Sequence, residues 1–192
     1  MLETPWGYSV DAETMPPLIT VADFDTLTGG AFSSSSEKVE AAIEAASASV
    51  RDYCGWHVSP ALTCEYTGEG EGRIFVLPAM GVSNVEYLKI ANVSRLFQWK
   101  TNGLVRLSEG YFPDDWRAVE CRYTAGFDSA SIGAVVAQIV ANSLAASPGV
   151  SDERAGNVSI TYNRTGDGIT GGISLLGRDK EQLAPYKLVR AW

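Results

Sequence analysis

The sequence predicts an α+β fold: a small antiparallel helix bundle with an inserted antiparallel β subdomain and an extended C-terminal segment. Three observations predict it. Apolar residues recur at helical spacing over 34–56 and again over 129–147. Between them, over 61–125, the segments become short, rich in Val, Tyr, Phe, Ile and Trp, and separated by Gly, Pro, Asn or Asp. Past 150 the chain runs through polar and Gly-rich stretches to an end, LAPYKLVRAW, that carries Pro and two aromatics. The 192 residues suffice for one domain with a real core. Its expected parts are an N-terminal arm (1–17), a helical body (18–60 and 126–150), the inserted β subdomain (61–125), and a C-terminal strand, loop and tail (151–192).

Pro5, Pro16 and Pro17 make the first seventeen residues read as an extended arm. Its Trp6 and Tyr8 can dock on a neighbouring molecule or on the chain's own body. Thr20 with Asp23 forms a capping pattern for a short helical turn, with Phe24 and Leu27 facing inward and Gly29-Gly30 ending it. Ser34 stands three residues before Glu37, a second capping-box pattern. From there Val39, Ile43, Ala46, Val50 and Tyr53 fall on one helical stripe, with Glu37, Glu40, Glu44, Ser47 and Arg51 largely outside it. Gly55 sits where a left-handed residue can stop the helix. The stripe is narrow and half Ala and Val, which suits close packing on another helix.

The β subdomain reads as ALTCEYT, GRIFVLP, VSNVEYLKIA, SRLFQW, GLVRL and WRAVECRYT. In the last of these Val119, Cys121 and Tyr123 alternate with Ala118, Glu120, Arg122 and Thr124, a strand with one wet face. Turns are expected at 101–103 (TNG) and 113–115 (PDD). The Gly-Glu alternation over 68–72 is expected as an exposed loop, too pliable to hold a metal.

Helical spacing returns over 129–147 with Ile132, Val135, Val136, Ile139, Val140 and Leu144. Ser129 or Ser131 can cap its start, and Pro148-Gly149 stops it. This helix is the natural partner of the first, with Val39, Ile43, Val50 and Tyr53 packing on Ile132, Val136 and Ile139. SDERAGN reads as a loop and NVSITYN as a strand with Val158, Ile160 and Tyr162 on one face. GDGITGG lacks the strand-to-helix context and the Lys-Ser/Thr ending of a phosphate cradle. A short helix over 179–183 is broken by Pro185. The end that follows, with Tyr186, Lys187, Arg190 and Trp192, docks on a partner, packs back on its own body, or frays.

Composition narrows the function. The chain is 45% hydrophobic and 20% charged, with a formal net charge of −8. So acidic a surface does not grip phosphate backbones, yet it can stand beside DNA and let it slide. No apolar run reaches the ~18 residues of a membrane span, and MLETPWGYSV lacks the basic-then-apolar pattern of a signal peptide, so a cytoplasmic site of synthesis is expected. Cys54, Cys64 and Cys121 form no CxxC pair, and His57 is the single histidine; buried free thiols and a structural or surface histidine are expected. No GxSxG, HExxH or Walker sequence is present. The carboxylate pairs Asp114-Asp115 and Asp152-Glu153 stand in solvated loops, and nothing recommends them as a glycosidase pair. No catalytic residue, cofactor or metal is therefore expected, and the balance tips toward a binding or structural protein.

The order of several segments meets a known pattern. YCGWHVSP at a helix end, LPAMGVSNVEYLKI, W-x-x-V-x-x-x-YTAGF leading into an apolar helix, AGNVSITYN and LAPYKLVRAW together resemble the head–tail connector (adaptor or head-completion) proteins of tailed bacteriophages. The resemblance spans residues 18 to 192; the first seventeen residues and GDGITGG have no place in it. It implies a ring of about twelve copies beneath the portal of the virion neck, at the head–tail junction. That ring would extend the channel for double-stranded DNA without binding it specifically and offer a platform to a stopper or tail-terminator protein. It implies portal docking by the C-terminal segment, here Leu183, Pro185, Tyr186, Leu188, Arg190 and Trp192, with loops 68–72 or 165–172 toward the tail side or the channel. It implies no membrane partner. Trp6, Trp99, Trp116 and Trp192 exceed what one small core wants and are candidate anchors between subunits. The alternatives are a stopper or tail-completion protein of the same neck, or an enzyme or host binding module on a similar α+β body.

Overall fold

The structure is a computed structural model that describes residues 1–32, 37–145, 152–155, 158–161, 173 and 175–188. It is α+β, with four α-helices and three antiparallel sheets among the described residues. The chain divides into two compact units, one of 1–16, 54–131 and 186–192, the other of 17–53 and 132–185.

The first unit is built on a six-stranded antiparallel sheet. Its strands are β1 (Leu2–Glu3), β2 (Ser9–Val10), β3 (Leu62–Gly68), β6 (Asn84–Ile90), β7 (Val93–Ser94) and β10 (Val119–Ala125), in the order β1-β2-β3-β10-β6-β7. The first residues, read from the sequence as an extended arm, supply β1 and β2. They form a hairpin that pairs with β3, Ser9 opposite Glu65 and Val10 opposite Cys64, with Tyr8 and Val10 buried. Of the two docking partners open to Tyr8, its own body is the one observed. The expected wet-faced strand is β10, at the middle of the sheet: Val119, Cys121, Tyr123 and Ala125 are buried while Glu120, Arg122 and Thr124 are half-exposed. On β6 the buried residues Val85 and Leu88 are three apart, which in a regular strand puts them on opposite faces. A register shift against Arg122/Tyr123 restores them to one face, Val85 opposite Tyr123 and Leu88 opposite Cys121. The β6–β7 turn places both Ala91 and Asn92 at positive φ (50° and 64°), as a tight two-residue hairpin requires.

A four-stranded sheet in the same unit comprises β4 (Gly70–Glu71), β5 (Ile74–Val76), β8 (Phe97–Trp99) and β9 (Leu104–Leu107), ordered β4-β5-β9-β8. The Gly-Glu stretch expected as a loop is therefore the end of β3 and the edge strand β4. Its glycines have a packing reason. A Cβ on Gly68 would lie 2.5 Å from the Tyr66 ring, and one on Gly70 would lie 2.2 Å from the ring of Phe112. Those rings, with Phe75 between them, form an aromatic row: Tyr66–Phe75 at 5.6 Å and Phe75–Phe112 at 5.8 Å. The expected TNG turn joins β8 to β9, with Gly103 at φ 87°.

The second unit holds α1 (Val21–Thr28), most of α2 (Glu37–Cys54) and of α3 (Ser129–Ala145), the pair β11 (Asp152–Ala155) and β12 (Val158–Thr161), and α4 (Gly177–Leu183), which runs into a 3-10 turn (Ala184–Tyr186). The Thr20/Asp23 capping box is present, and Gly29 closes α1 in the left-handed region at φ 63°. Phe24 is buried as expected, but Leu27 is 50% exposed. On α2 the stripe is wider than the one read from apolar residues. Val39, Ile43, Ala46 and Val50 are buried, but so are Ser47 and Arg51, and Tyr53 is half-buried. Ser47 is inside because its Oγ accepts the Leu18 N–H at 3.0 Å. Gly55, at φ 79°, follows the last residue of α2. On α3 Ile132, Val136, Ile139 and Val140 are buried, and Gly133 has Ile19 and Leu27 at 3.5 Å from where a Cβ would stand. Asp152–Ala155, expected as loop, pairs with β12 throughout, Asp152 opposite Thr161 and Ala155 opposite Val158. Ser34, Tyr162 and the GDGITGG loop lie outside the described residues.

Candidate assembly surfaces

The corner after α2 fixes the N-terminal hairpin and the start of the C-terminal tail. His57 is fully buried. The Tyr8 Oη accepts the backbone N–H of His57 at 3.0 Å and lies 2.8 Å from Nδ1, while Nε2 lies 2.8 Å from the Ala125 carbonyl. A carbonyl oxygen only accepts, so Nε2 carries the proton and Nδ1 accepts from the Tyr8 hydroxyl. The only histidine is therefore a structural tie between segments 49 and 68 residues away in sequence. Val58, next in the chain and buried, sits at φ 63° in a tight turn in which the Ser59 N–H donates to the His57 carbonyl at 2.8 Å. A β-branched residue at that φ is strained by about 1–3 kcal/mol. The Phe127 N–H braces it from the other side, donating to the Val58 carbonyl at 2.8 Å.

The same corner seizes the C-terminal segment. The buried Trp56 donates Nε1–H to the Tyr186 carbonyl at 2.7 Å, the Leu188 N–H donates to the Cys54 carbonyl at 2.9 Å, and the Tyr186 ring meets Phe127 edge-on at 5.2 Å. Leu183 is fully buried, so its side chain is not available at the surface. Pro185 is exposed, Tyr186 and Leu188 are half-buried, and Arg190 and Trp192 lie outside the described residues. The expected docking tail is thus pinned to its own body up to Leu188. The helix-end position in YCGWHVSP was a readable signal for Trp56; its carbonyl partner 130 residues on was not.

On the outer face of the six-stranded sheet Arg122 binds Glu65 at 2.6 Å, Glu86 at 3.0 Å and Asp11 at 3.2 Å. These contacts, the Glu65 hydrogen bond first, hold its guanidinium firmly protonated, above its usual range. One cation thus ties carboxylates from three segments. Cys54, Cys64 and Cys121 are free and buried, and desolvation pushes each thiol up to about 12, so none is a ready nucleophile. Among the described residues there is no group of three or more His, Cys, Asp or Glu able to hold a metal, and no helix long and apolar enough to cross a membrane.

Of the candidate tryptophan anchors, Trp6 is half-buried and stacked on Tyr8 at 6.1 Å, and Trp99 is half-buried. Trp116 is 86% exposed and Tyr111 76% exposed, both in the segment between β9 and β10.

No protein-family model matches this chain, and no curated protein matches it. Solved structures share its fold. A chain from the neck of the empty gene transfer agent (GTA) particle, at sixfold symmetry, is 16% identical over 96% of this chain and 97% of that one, with a TM-score of 0.58. A chain from the virion of the native GTA particle aligns over the same shares at 15% identity and TM-score 0.53. One from the neck of the native particle, at twelvefold symmetry, does so at 13% and 0.51. The fold of this protein is therefore that of chains found in a symmetric particle neck.

Proposed function

We infer that this chain is a structural protein of a virion neck: a head–tail connector that forms a ring of about twelve copies under the portal, extends the DNA channel and carries the stopper or tail terminator. The observation that carries the reading is the likeness of fold, over 96% of the chain at TM-scores of 0.58 and 0.51, to neck chains at sixfold and twelvefold symmetry. Two features of the chain support it. A net charge of −8 per subunit suits a channel wall that DNA passes without sticking. The open display of Tyr111 and Trp116 suits a surface meant for contact rather than for solvent.

The portal contact falls to the C-terminal segment, with Pro185 and the residues past Leu188, including Arg190 and Trp192, as the docking group. Leu183, Tyr186 and Leu188 then serve as its root. Deleting residues 189–192 tests this without touching the root. The expected result is a folded chain that no longer co-sediments with portal rings. Undiminished portal binding overturns the docking assignment, and binding to tail-side proteins alone favours a stopper or tail-completion protein instead.

A further inference from the structure

We propose that the loop over 108–118 of one copy docks on the outer face of the four-stranded sheet of the next copy, making the lateral contact of the ring; this rests on the ring reading above. The loop is built for display. Phe112 is buried, its N–H donates to the Gly72 carbonyl at 2.8 Å, and its ring occupies the space left by the missing Cβ of Gly70. With that anchor set, Tyr111 and Trp116 stand 76% and 86% exposed on either side of it. Large aromatics held out on a fixed support are the usual centres of binding energy. Around them are Glu109, Asp114 and Asp115, with Arg117 as the loop's own cation.

The receiving face follows from the register. Ile74 lies opposite Arg106 and Arg106 opposite Gln98, while Val76 lies opposite Leu104. Paired residues of an antiparallel sheet share a face, so these side chains lie together, and the Phe75, Val105 and Trp99 row takes the other side. Ile74 and Val76 are 38% and 57% exposed, an apolar strip with no cover in the single chain. Its charged neighbours are Arg106 and Lys100, with Glu71 opposite Ile74. The loop therefore carries an acidic excess and the face a basic one, on a chain that is acidic overall. A ring closed by rotation needs two different, mutually complementary patches on each copy, and this pair meets that need in shape class and in charge.

Cysteine cross-linking tests it, because the native cysteines are buried and stay silent. Trp116→Cys and Val76→Cys are introduced on separate chains of the full-length protein, mixed, and treated with a short bismaleimide. The expected result is a mixed dimer at about tenfold the yield of a control pairing of Trp116→Cys with Asp25→Cys, as an elevated local concentration requires. The double variant on one chain should give a ladder ending at the closed ring. Rings of the double variant that show no such link overturn the contact and leave the ring standing. A chain that forms neither rings nor the link overturns both. Links between two Trp116→Cys positions, or from Trp116→Cys only to another neck protein, overturn the contact as well. Arg106→Glu should abolish the mixed link, and pairing it with Asp114→Lys and Asp115→Lys should restore it.

Discussion

Replacing Tyr8 by Phe removes one oxygen from a place that water does not reach. Tyr8 is 2% exposed and His57 0%. That oxygen accepts the His57 N–H at 3.0 Å and donates to Nδ1 at 2.8 Å. Without it, one buried donor and one buried acceptor lose these partners, and each such loss costs about 1–3 kcal/mol. The variant should therefore lose about 2–6 kcal/mol, against a total of about 5–15 kcal/mol for a domain. With a urea m-value of about 2 kcal/mol per molar, the midpoint should fall by about 1–3 M. Hydrogen exchange supplies a local reading, since the His57 amide should pass from protected to fast. Tyr111→Phe, on an exposed ring, should leave the midpoint in place. A loss below about 0.5 kcal/mol for Tyr8→Phe, with the His57 amide still protected, would refute the claim that the N-terminal hairpin is bonded into the core.

Other outcomes follow from the same structure. The thiols of Cys54, Cys64 and Cys121 sit near 12 in the folded chain against an ordinary value of 9. The folded state thus holds protons that the unfolded chain has released, so stability is intact below pH 9 and falls as pH rises toward 12, by about 1.4 kcal/mol per pH unit for each thiol. Urea midpoints from pH 8 to 11 should drop steeply for the wild type and less for a triple Cys→Ala variant. Gly70→Ala should cost about 1–3 kcal/mol by driving Phe112 from its seat, read as a lowered Tm together with loss of the Trp116 cross-link. If the α2 and α3 stripes pack on one another, Ile43→Ala and Val136→Ala should couple by about 0.5–2 kcal/mol in a double-mutant cycle, and strict additivity would show that they do not. Fluorescence anisotropy should find no binding of double-stranded DNA tighter than about 100 μM at physiological salt.

The parts of this fold that were legible in the sequence are those whose cause is local. The Thr20/Asp23 cap, the left-handed Gly29 and Gly55, the stripes on α2 and α3, and the alternation of β10 all follow from spacing within a turn or a strand. The N-terminal hairpin was not legible, because its strands are two residues each and offer no period. Its hold comes from β3, some 55 residues away between Val10 and Cys64. The strand at Gly70–Glu71 hid behind glycines whose purpose, room for Phe112, depends on a ring 42 residues further on. Asp152–Ala155 carries three charges in four residues and gave no apolar signal. Ser47 and Arg51 read as wet because their type, not their partners, is what a periodicity sees. As for the assembly surfaces, the excess of tryptophan was visible from the start. Which of them stands open was not, since a tryptophan in a turn reads the same whether its ring is covered or, like Trp116, 86% exposed.

The proposed role requires above all repetition about an axis. Electron cryomicroscopy of intact particles carrying this chain measures that directly. The predicted density is a closed ring of about twelve copies between portal and tail, with the C-terminal residues of each reaching the portal. Density for a single copy, or a position away from the junction of shell and tail, would contradict it.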